Sequence, residues 1–405
     1  MLDSYLLDWA NLLLRWVHII TAMAWIGASF YFVFLDSNLT PPVDDELLRQ
    51  GVDGELWAVH GGGFYHPVKF NVAPPKLPTH LHWFYWESYG TWLSGFALFS
   101  VSYLWNPSTY LIDKARMDWS SSGAIAAALS LLLVFWILYD LICRIWGPRR
   151  HGDAMVGLLL GILLCLASWL ACQWFAGRAA FVLVGSMMAS AMSANVFFWI
   201  IPGQKKVIAS IKAGEPVDPI HGQRGKQRSV HNTYFTLPVL FAMLSTHYSF
   251  TYSHPQNWLI LVLMMLAGAS IRQFFVMRHG YKLGRNRNPL GFVLVGLALI
   301  VAVIFWLKPS LQVATTPVLV QSTAAPAAFH AVQKVLEQRC LMCHGEQVQM
   351  KNVRLDSAAN LKLHAQSIYQ QVVVQKLMPM NNSTGLTEAE RLIVKQWFEA
   401  GAATP

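Results

Sequence analysis

Residues 289–307 contain no charged side chain and consist almost entirely of Leu, Val, Ile, Ala, Phe and Gly. Such a run has one stable place, a helix across a bilayer. About 20 apolar residues span the hydrocarbon layer, and the helix satisfies every backbone N–H and C=O from within. Further runs lie at about 10–35, 88–105, 122–146, 154–173, 180–202, 231–249 and 256–278, so the spacing predicts about eight spans. The first, second and sixth carry more polar groups than the rest. Composition agrees: the chain is 55% hydrophobic but only 13% charged, roughly half the charge of a soluble chain. The mean hydropathy is +0.38.

The net charge of +9 would point to nucleic acid in a soluble protein. Here the bases fall in alternate loops. Arg144, Arg149 and Arg150 follow the third span. Lys205, Lys206, Lys212, Arg224, Lys226 and Arg228 follow the fifth, and Arg278, Lys282, Arg285 and Arg287 the seventh. The intervening loops are poor in positive charge. The positive-inside rule puts these loops in the cytoplasm and both termini outside. Nucleic acid is excluded as a partner, and the lipid bilayer replaces it. The N-terminus lacks the basic region and cleavage site of a removable signal and reads as the first span of a multi-pass inner-membrane protein.

After Trp306 the composition changes. Residues 308–328, rich in Pro, Ala, Ser, Thr and Val, read as a linker, and 329–405 as a small helical domain. It carries Cys340-Leu341-Met342-Cys343-His344. Cys-x-x-Cys-His is the attachment string of a covalent c-type haem: two thiols on one helical turn add to the vinyl groups and the histidine ligates iron. A zinc site would need a second ligand pair at matched spacing, and His330 and His364 do not supply one. The second axial ligand is expected from Met378-Pro379-Met380, with Met378 preferred and Met380 the fallback. Helices are expected at 329–339 and 364–377, with a capping box at Thr387–Glu390 opening a last one. In bacteria such haems are attached outside the cytoplasmic membrane, the side that the loop charges give the C-terminus. The other cysteines, Cys143, Cys165 and Cys172, lie in apolar runs and read as small core residues.

The long loop at about 36–87 is rich in aromatics and histidine. Residues 55–60 and 64–70 read as two strands joined by Gly61-Gly62-Gly63. Histidines crowd the cytoplasmic loops and span edges: His60, His66, His80, His82, His151, His221, His231 and His279. His60, His66, His82 and Glu87 are candidate acid/base groups, with interfacial belt residues the plain alternative. His18 and His247 lie within spans near the outer leaflet. Ionisable groups at that depth are usually functional, and the two could clamp a haem b or simply bond to neighbouring helices.

Trp16-Val17-His18-Ile19-Ile20, Ala24-Trp25-Ile26-Gly27, the stretch from Gly54 through His60-Gly61-Gly62-Gly63 to His66, and Leu81-His82-Trp83-Phe84-Tyr85-Trp86-Glu87 together resemble the bacterial membrane-bound urate oxidase (urate hydroxylase) family. The likeness covers nearly the whole chain. It implies an all-α polytopic bundle (residues 1–307) joined to a class I-like mono-haem cytochrome c domain. It also implies oxidation of urate to 5-hydroxyisourate in purine catabolism. Electrons would pass to the c-type haem and on to a soluble cytochrome c or terminal oxidase of the respiratory chain. The haem ligands carry over onto Cys340, Cys343, His344 and Met378. Joined to the loop reading, the likeness places urate at the cytoplasmic face, between the 55–87 loop and residues 203–230. Arg224 or Arg228 would pair with the anion there, and electrons would need a relay inside the bilayer. Two other classes remain: a quinol-to-cytochrome electron-transfer subunit, and a transporter with a redox-sensing tail.

Overall fold

The computed structural model describes residues 2–404 apart from 71–72, 115, 309–324, 351–352 and 375. Helix α1 (Leu2–Asn38) is followed by the short α2 (Asp45–Arg49) and by strands β1 (Val52–Glu55), β2 (Ala58–His60), β3 (Gly63–Tyr65) and β4 (Val68–Phe70). Next come α3 (Trp86–Phe99), α4 (Pro107–Tyr110), α5 (Ser121–Trp146), α6 (Gly152–Trp174), α7 (Gly177–Asn195) and α8 (Ile201–Ala213). The bundle continues with α9 (Pro219–Leu244), α10 (Ser249–Tyr252), α11 (Asn257–Lys282) and α12 (Leu290–Trp306). The tail holds α13 (Ala325–Arg339), α14 (Leu341–His344), α15 (Ala358–Ile368) and α16 (Glu388–Glu399). The protein is thus mostly helical.

Among the described residues, five helices are by length and composition able to cross a bilayer: α1, α5, α6, α7 continued to Ala213, and α11. The segments expected at 88–105, 231–249 and 289–307 are also helical, and differ from those five in length or polarity. Helix α3 continues through a wider turn at Ser100–Leu104, as α7 does at Val196–Ile200, but carries Glu87, Ser88, Thr91 and Ser94. Helix α9 begins with Arg224, Lys226 and Arg228 and contains Pro238. Helix α12 is apolar throughout but only 17 residues long. The outer faces are apolar at one-turn spacing, as in Leu133, Ile137 and Leu141 of α5 and Leu158, Ile162 and Leu166 of α6, all exposed. So extensive an apolar exterior suits lipid rather than water. Helix α7 is the hub, with Ala179, Ala180, Phe181, Leu183, Met187 and Ala191 fully buried. Its alanines allow close approach of neighbouring helices, the usual device where hydrophobicity alone cannot drive association.

The bundle has two distinct ends. At one, Arg116 donates to the Cys172 carbonyl (2.8 Å), Ala176 N–H to Leu111 (3.0 Å) and Trp119 Nε1 to Trp174 (3.0 Å), while His254 meets Trp306 edge-on. The tail sits at this end: the turn Met380–Asn382 packs on α4, and Leu377 on the core of the helical bundle. At the other end Gln227 donates to Asp153 (2.9 Å), His279 Nδ1 bonds the Ser37 carbonyl (2.9 Å) and Lys69 pairs with Asp36 (2.6 Å). The basic connections gather at this second end.

The four strands amend the all-α expectation. They form a nested pair of antiparallel ladders at the second end. In the inner one Ala58, Val59 and His60 pair with Tyr65, Phe64 and Gly63. In the outer one β1 pairs with β4 across a bulge. The turn needs φ of +57° at Gly61 and +80° at Gly62, a conformation that costs a side-chain-bearing residue about 1–2 kcal/mol. Backbone bonds between Thr40 and Glu55 tie the ladder to the end of α1.

In the tail, the expected linker at 308–328 falls largely outside the described residues. Helix α15 begins at Ala358 rather than 364, because Ser357 caps it by accepting Asn360 N–H, and its Leu361, Ala365 and Ile368 supply the buried stripe. The capping box at α16 is present in both arms: Glu390 N–H donates to Thr387 Oγ1 (3.2 Å) and Thr387 N–H to Glu390 Oε2 (2.6 Å). Val332, Leu336, Leu361, Val394 and Trp397 form the tail's own core.

Candidate functional site

The tail residues form a coherent set. Cys340 precedes the single turn α14 and Cys343 lies within it; neither thiol is in a disulfide. The Cys340 thiol is pushed up to about 12 by burial and then by the neighbouring Cys343, which keeps it protonated. His344 Nδ1 bonds the Val353 carbonyl at 3.1 Å. A carbonyl only accepts, so Nδ1 carries the proton and Nε2 is the open nitrogen, the arrangement that orients a ligating imidazole. Across the tail, Arg391 is buried and donates through Nη1 to the carbonyls of Val372 and Met378. It pins the segment bearing Met378 to α16. Met378 packs on the tail core, whereas Met380 opens the turn lying on α4. Two thiols about one turn and an imidazole with Nε2 open are the donor types that a c-type haem takes.

His18 is held from α3. Its Nδ1 lies 3.1 Å from the Thr91 carbonyl and 3.2 Å from Ser94 Oγ. The ring rests on Gly95, where a Cβ would come within 2.7 Å of Cε1. His247 is exposed and ends the turn Ser245–His247, which packs on α7, α9 and α10, while α1 packs on α3 and α11. The two rings thus sit on elements with different packing partners, and no step is assigned to a haem b between them.

At the second end of the bundle, α5, α7 and α9 enclose a polar cluster. Asp140 is 6% exposed and takes Arg228 Nη2 (2.8 Å) and Trp199 Nε1 (2.8 Å) on Oδ1 and Arg144 Nε (2.6 Å) on Oδ2. One turn deeper, Asn195 Nδ2 donates to Tyr139 Oη (2.7 Å) and Asn232 Oδ1 (2.9 Å), and Tyr139 Oη lies 3.0 Å from His231 Nδ1. Arg228 bridges the two layers, 4.9 Å from the Tyr139 ring and 5.1 Å from the Trp199 ring.

Of the residues singled out from sequence, Arg228 lies inside this cluster and Arg224 at its exposed edge, 5.7 Å from the Trp199 ring. Glu87 starts α3; its Oε2 is buried with no hydrogen-bond partner. Its neighbour Ser88 bonds Ser193 on α7 (3.1 Å), which places Glu87 at the same end. His60 is exposed at the hairpin tip. His66 Nε2 contacts Glu55 Oε2 at 2.5 Å under a parallel Trp57 ring 4.1 Å away. The Glu55 carboxyl is held below its ordinary range, first by the Val43 backbone N–H and next by His66. His82 is exposed and sits edge-on to Phe84. Asp140, Tyr139, Asn195 and Trp199 were not among the sequence candidates, although Asp140 is the lone acid in an apolar run, itself a signal.

Fold and site together define a helical-bundle protein with several helices able to cross a bilayer, a buried cationic cluster at one end, and a Cys-x-x-Cys-His tail at the other. Residues 4–308 match the family described as Urate oxidase N-terminal, and the chain belongs to that family. The match covers the bundle and stops before the tail. It associates the chain with urate and with an oxidoreductase type of chemistry. No curated protein and no solved structure matches the chain.

Proposed function

We propose that the protein is a membrane-bound urate oxidase that converts urate to 5-hydroxyisourate and delivers the electrons to its own tail. The observation that carries the reading is the join between a bundle of the urate oxidase family and a tail whose His344, Cys340, Cys343 and Met378 fit a c-type haem. The eight helical passes cross the inner membrane, with the basic second end in the cytoplasm and both termini in the periplasm. Urate binds at the cytoplasmic end. The balanced reaction takes urate and water to 5-hydroxyisourate with release of two protons and two electrons, the water oxygen adding to the oxidised ring.

The chain's residues divide the work. Cations of the Asp140–Arg228 cluster hold the urate anion. Glu87, whose buried oxygen bonds nothing else, takes the proton, whereas His66 is already committed to Glu55. The low dielectric of the bundle strengthens each of these interactions. The c-type haem, when bound, supplies one-electron uptake on the periplasmic side, from which a respiratory acceptor draws. The packing of the Met380–Asn382 turn on α4 keeps that site against the bundle.

The test is anaerobic addition of urate to the purified full-length protein. Reduction of the haem bands together with stoichiometric loss of urate is expected. Haem that quinol reduces and urate does not would replace this reading with that of an electron-transfer subunit.

A further inference from the structure

The cluster around Trp199 is short of an anion. The guanidinium carbons of Arg144, Arg228 and Arg224 lie 4.8, 5.1 and 5.7 Å from the indole. Among the described residues the only carboxylate paired with any of them is Asp140; Asp153 bonds Gln227. Arg228 is 2% exposed, and its Nη1 is buried without a partner. A buried donor left unmade is costly, so it implies a missing acceptor. Trp199 sits in the widened turn Val196–Ile200, a backbone form that recurs at functional sites. It also lines a cleft of about 370 Å³, open mouth included, with Phe198, Lys206, His221 and Arg224 and no carboxylate.

A second orphan has the opposite polarity. Asn195 is 1% exposed and its Oδ1 is unpartnered. The network fixes which amide atom this is. Asn232 Nδ2 donates to the Met192 carbonyl (3.1 Å), so Asn232 Oδ1 must face Asn195 and accept from its Nδ2. That nitrogen also donates to Tyr139 Oη, which leaves Asn195 Oδ1 as an open acceptor. A buried free donor on α9 and a buried free acceptor at the end of α7 are joined through Tyr139, whose ring Arg228 faces and whose hydroxyl Asn195 bonds.

We infer that this cluster is the binding site for a planar organic anion with a lactam edge, urate being the instance given by the proposed function, on which the inference rests. Arg228 Nη1 donates to the ligand's oxyanion and Asn195 Oδ1 accepts a ring N–H. Lys206 and Arg224, which line the Trp199 cleft, draw the anion in. A lipid phosphate, rich in acceptors, has no use for the Asn195 oxygen, so the chemistry favours the heterocycle.

The experiment is equilibrium dialysis of labelled urate against the purified full-length protein without an electron acceptor. Arg228→Lys keeps the charge and removes the second arm, and Asn195→Asp turns the acceptor into a repelling charge. Each should raise the urate Kd about ten- to a hundredfold, the value of one charge-assisted hydrogen bond. Arg224→Gln, at an exposed position where folding is not at risk, should raise it a few-fold. Benzoate, a planar anion without the lactam edge, and phosphatidylglycerol should compete poorly. Urate affinity unchanged in Asn195→Asp and Arg224→Gln, with the parent protein binding urate, overturns the site and leaves the oxidase reading standing. Efficient displacement by phosphatidylglycerol overturns the ligand class in favour of a headgroup. A parent protein that binds no urate removes the oxidase reading and this site together.

Discussion

Asp140 is the structural centre of the cationic cluster, and its removal gives a quantitative test. Asp140→Ala takes the acceptor from Arg228, Arg144 and Trp199 at once. The three losses are unequal. The Arg144 side chain is 57% exposed, and an ion pair so hydrated contributes about 0–1 kcal/mol. The Trp199 bond is neutral on the donor side and is worth about 1 kcal/mol. Arg228, with its side chain 3% exposed, would be left as an uncompensated buried charge, which costs about 3–5 kcal/mol. The expected loss is about 4–7 kcal/mol, a fall in melting midpoint on the order of 10 °C. Thermal unfolding in detergent, followed by circular dichroism, measures it. The double variant Asp140→Leu, Arg228→Met should recover at least half, because replacing both partners of a buried pair with apolar groups is often neutral. A single variant within about 1 kcal/mol of the parent would mean that Arg228 is hydrated and not buried. A double variant worse than the single would assign the cost to packing instead of charge.

Three further outcomes are expected. The Glu390 carboxyl is held below its ordinary range by the Thr387 backbone N–H and by Arg339, so its contribution is complete above the unfolded value near 4.3 and is lost as pH falls through the lower folded value. The protection factors of the α16 amides should therefore fall in acid, and Glu390→Gln should show lower protection already at pH 7, by about 1 kcal/mol of opening energy, with the acid step gone. Gly95→Val places a methyl group where His18 Cε1 sits; overpacking should cost about 1–3 kcal/mol in the same melting assay, while Gly157→Val, with open space around it, should not. Cys340→Ser with Cys343→Ser should abolish haem retained on denaturing gels, and Met378→Ala should change the ferric haem spectrum where Met380→Ala does not.

Much of the fold was legible because its cause is local. Apolar runs declare helices wherever lipid is the solvent, since no other backbone form satisfies itself there. The turn at Gly61–Gly62 followed from residues that alone tolerate positive φ, and the Thr387–Glu390 capping box from two side chains three positions apart. Boundaries were less visible. The start of α15 depends on Ser357 as cap and on a stripe that only the tail core selects. The backbone widening at Ser100–Leu104 is announced by no residue type. The likeness to the urate oxidase family was carried by strings of adjacent residues, and the family match over residues 4–308 agrees with it.

The sequence by itself determined an apolar helical chain with its bases in alternate connections and a Cys-x-x-Cys-His tail, because each is written in contiguous residues. Only the tertiary structure decided what those residues meet. Arg228 and Asp140 stand 88 positions apart, and Asn195 and Tyr139 stand 56 apart. His18 and His247, alike in sequence as polar groups in apolar helices, were assigned to separate packing surfaces. An orphaned donor or acceptor is a property of three-dimensional company. It arises when packing removes water and supplies no partner, so no reading of adjacent residues could have singled out Asn195 Oδ1 or Arg228 Nη1.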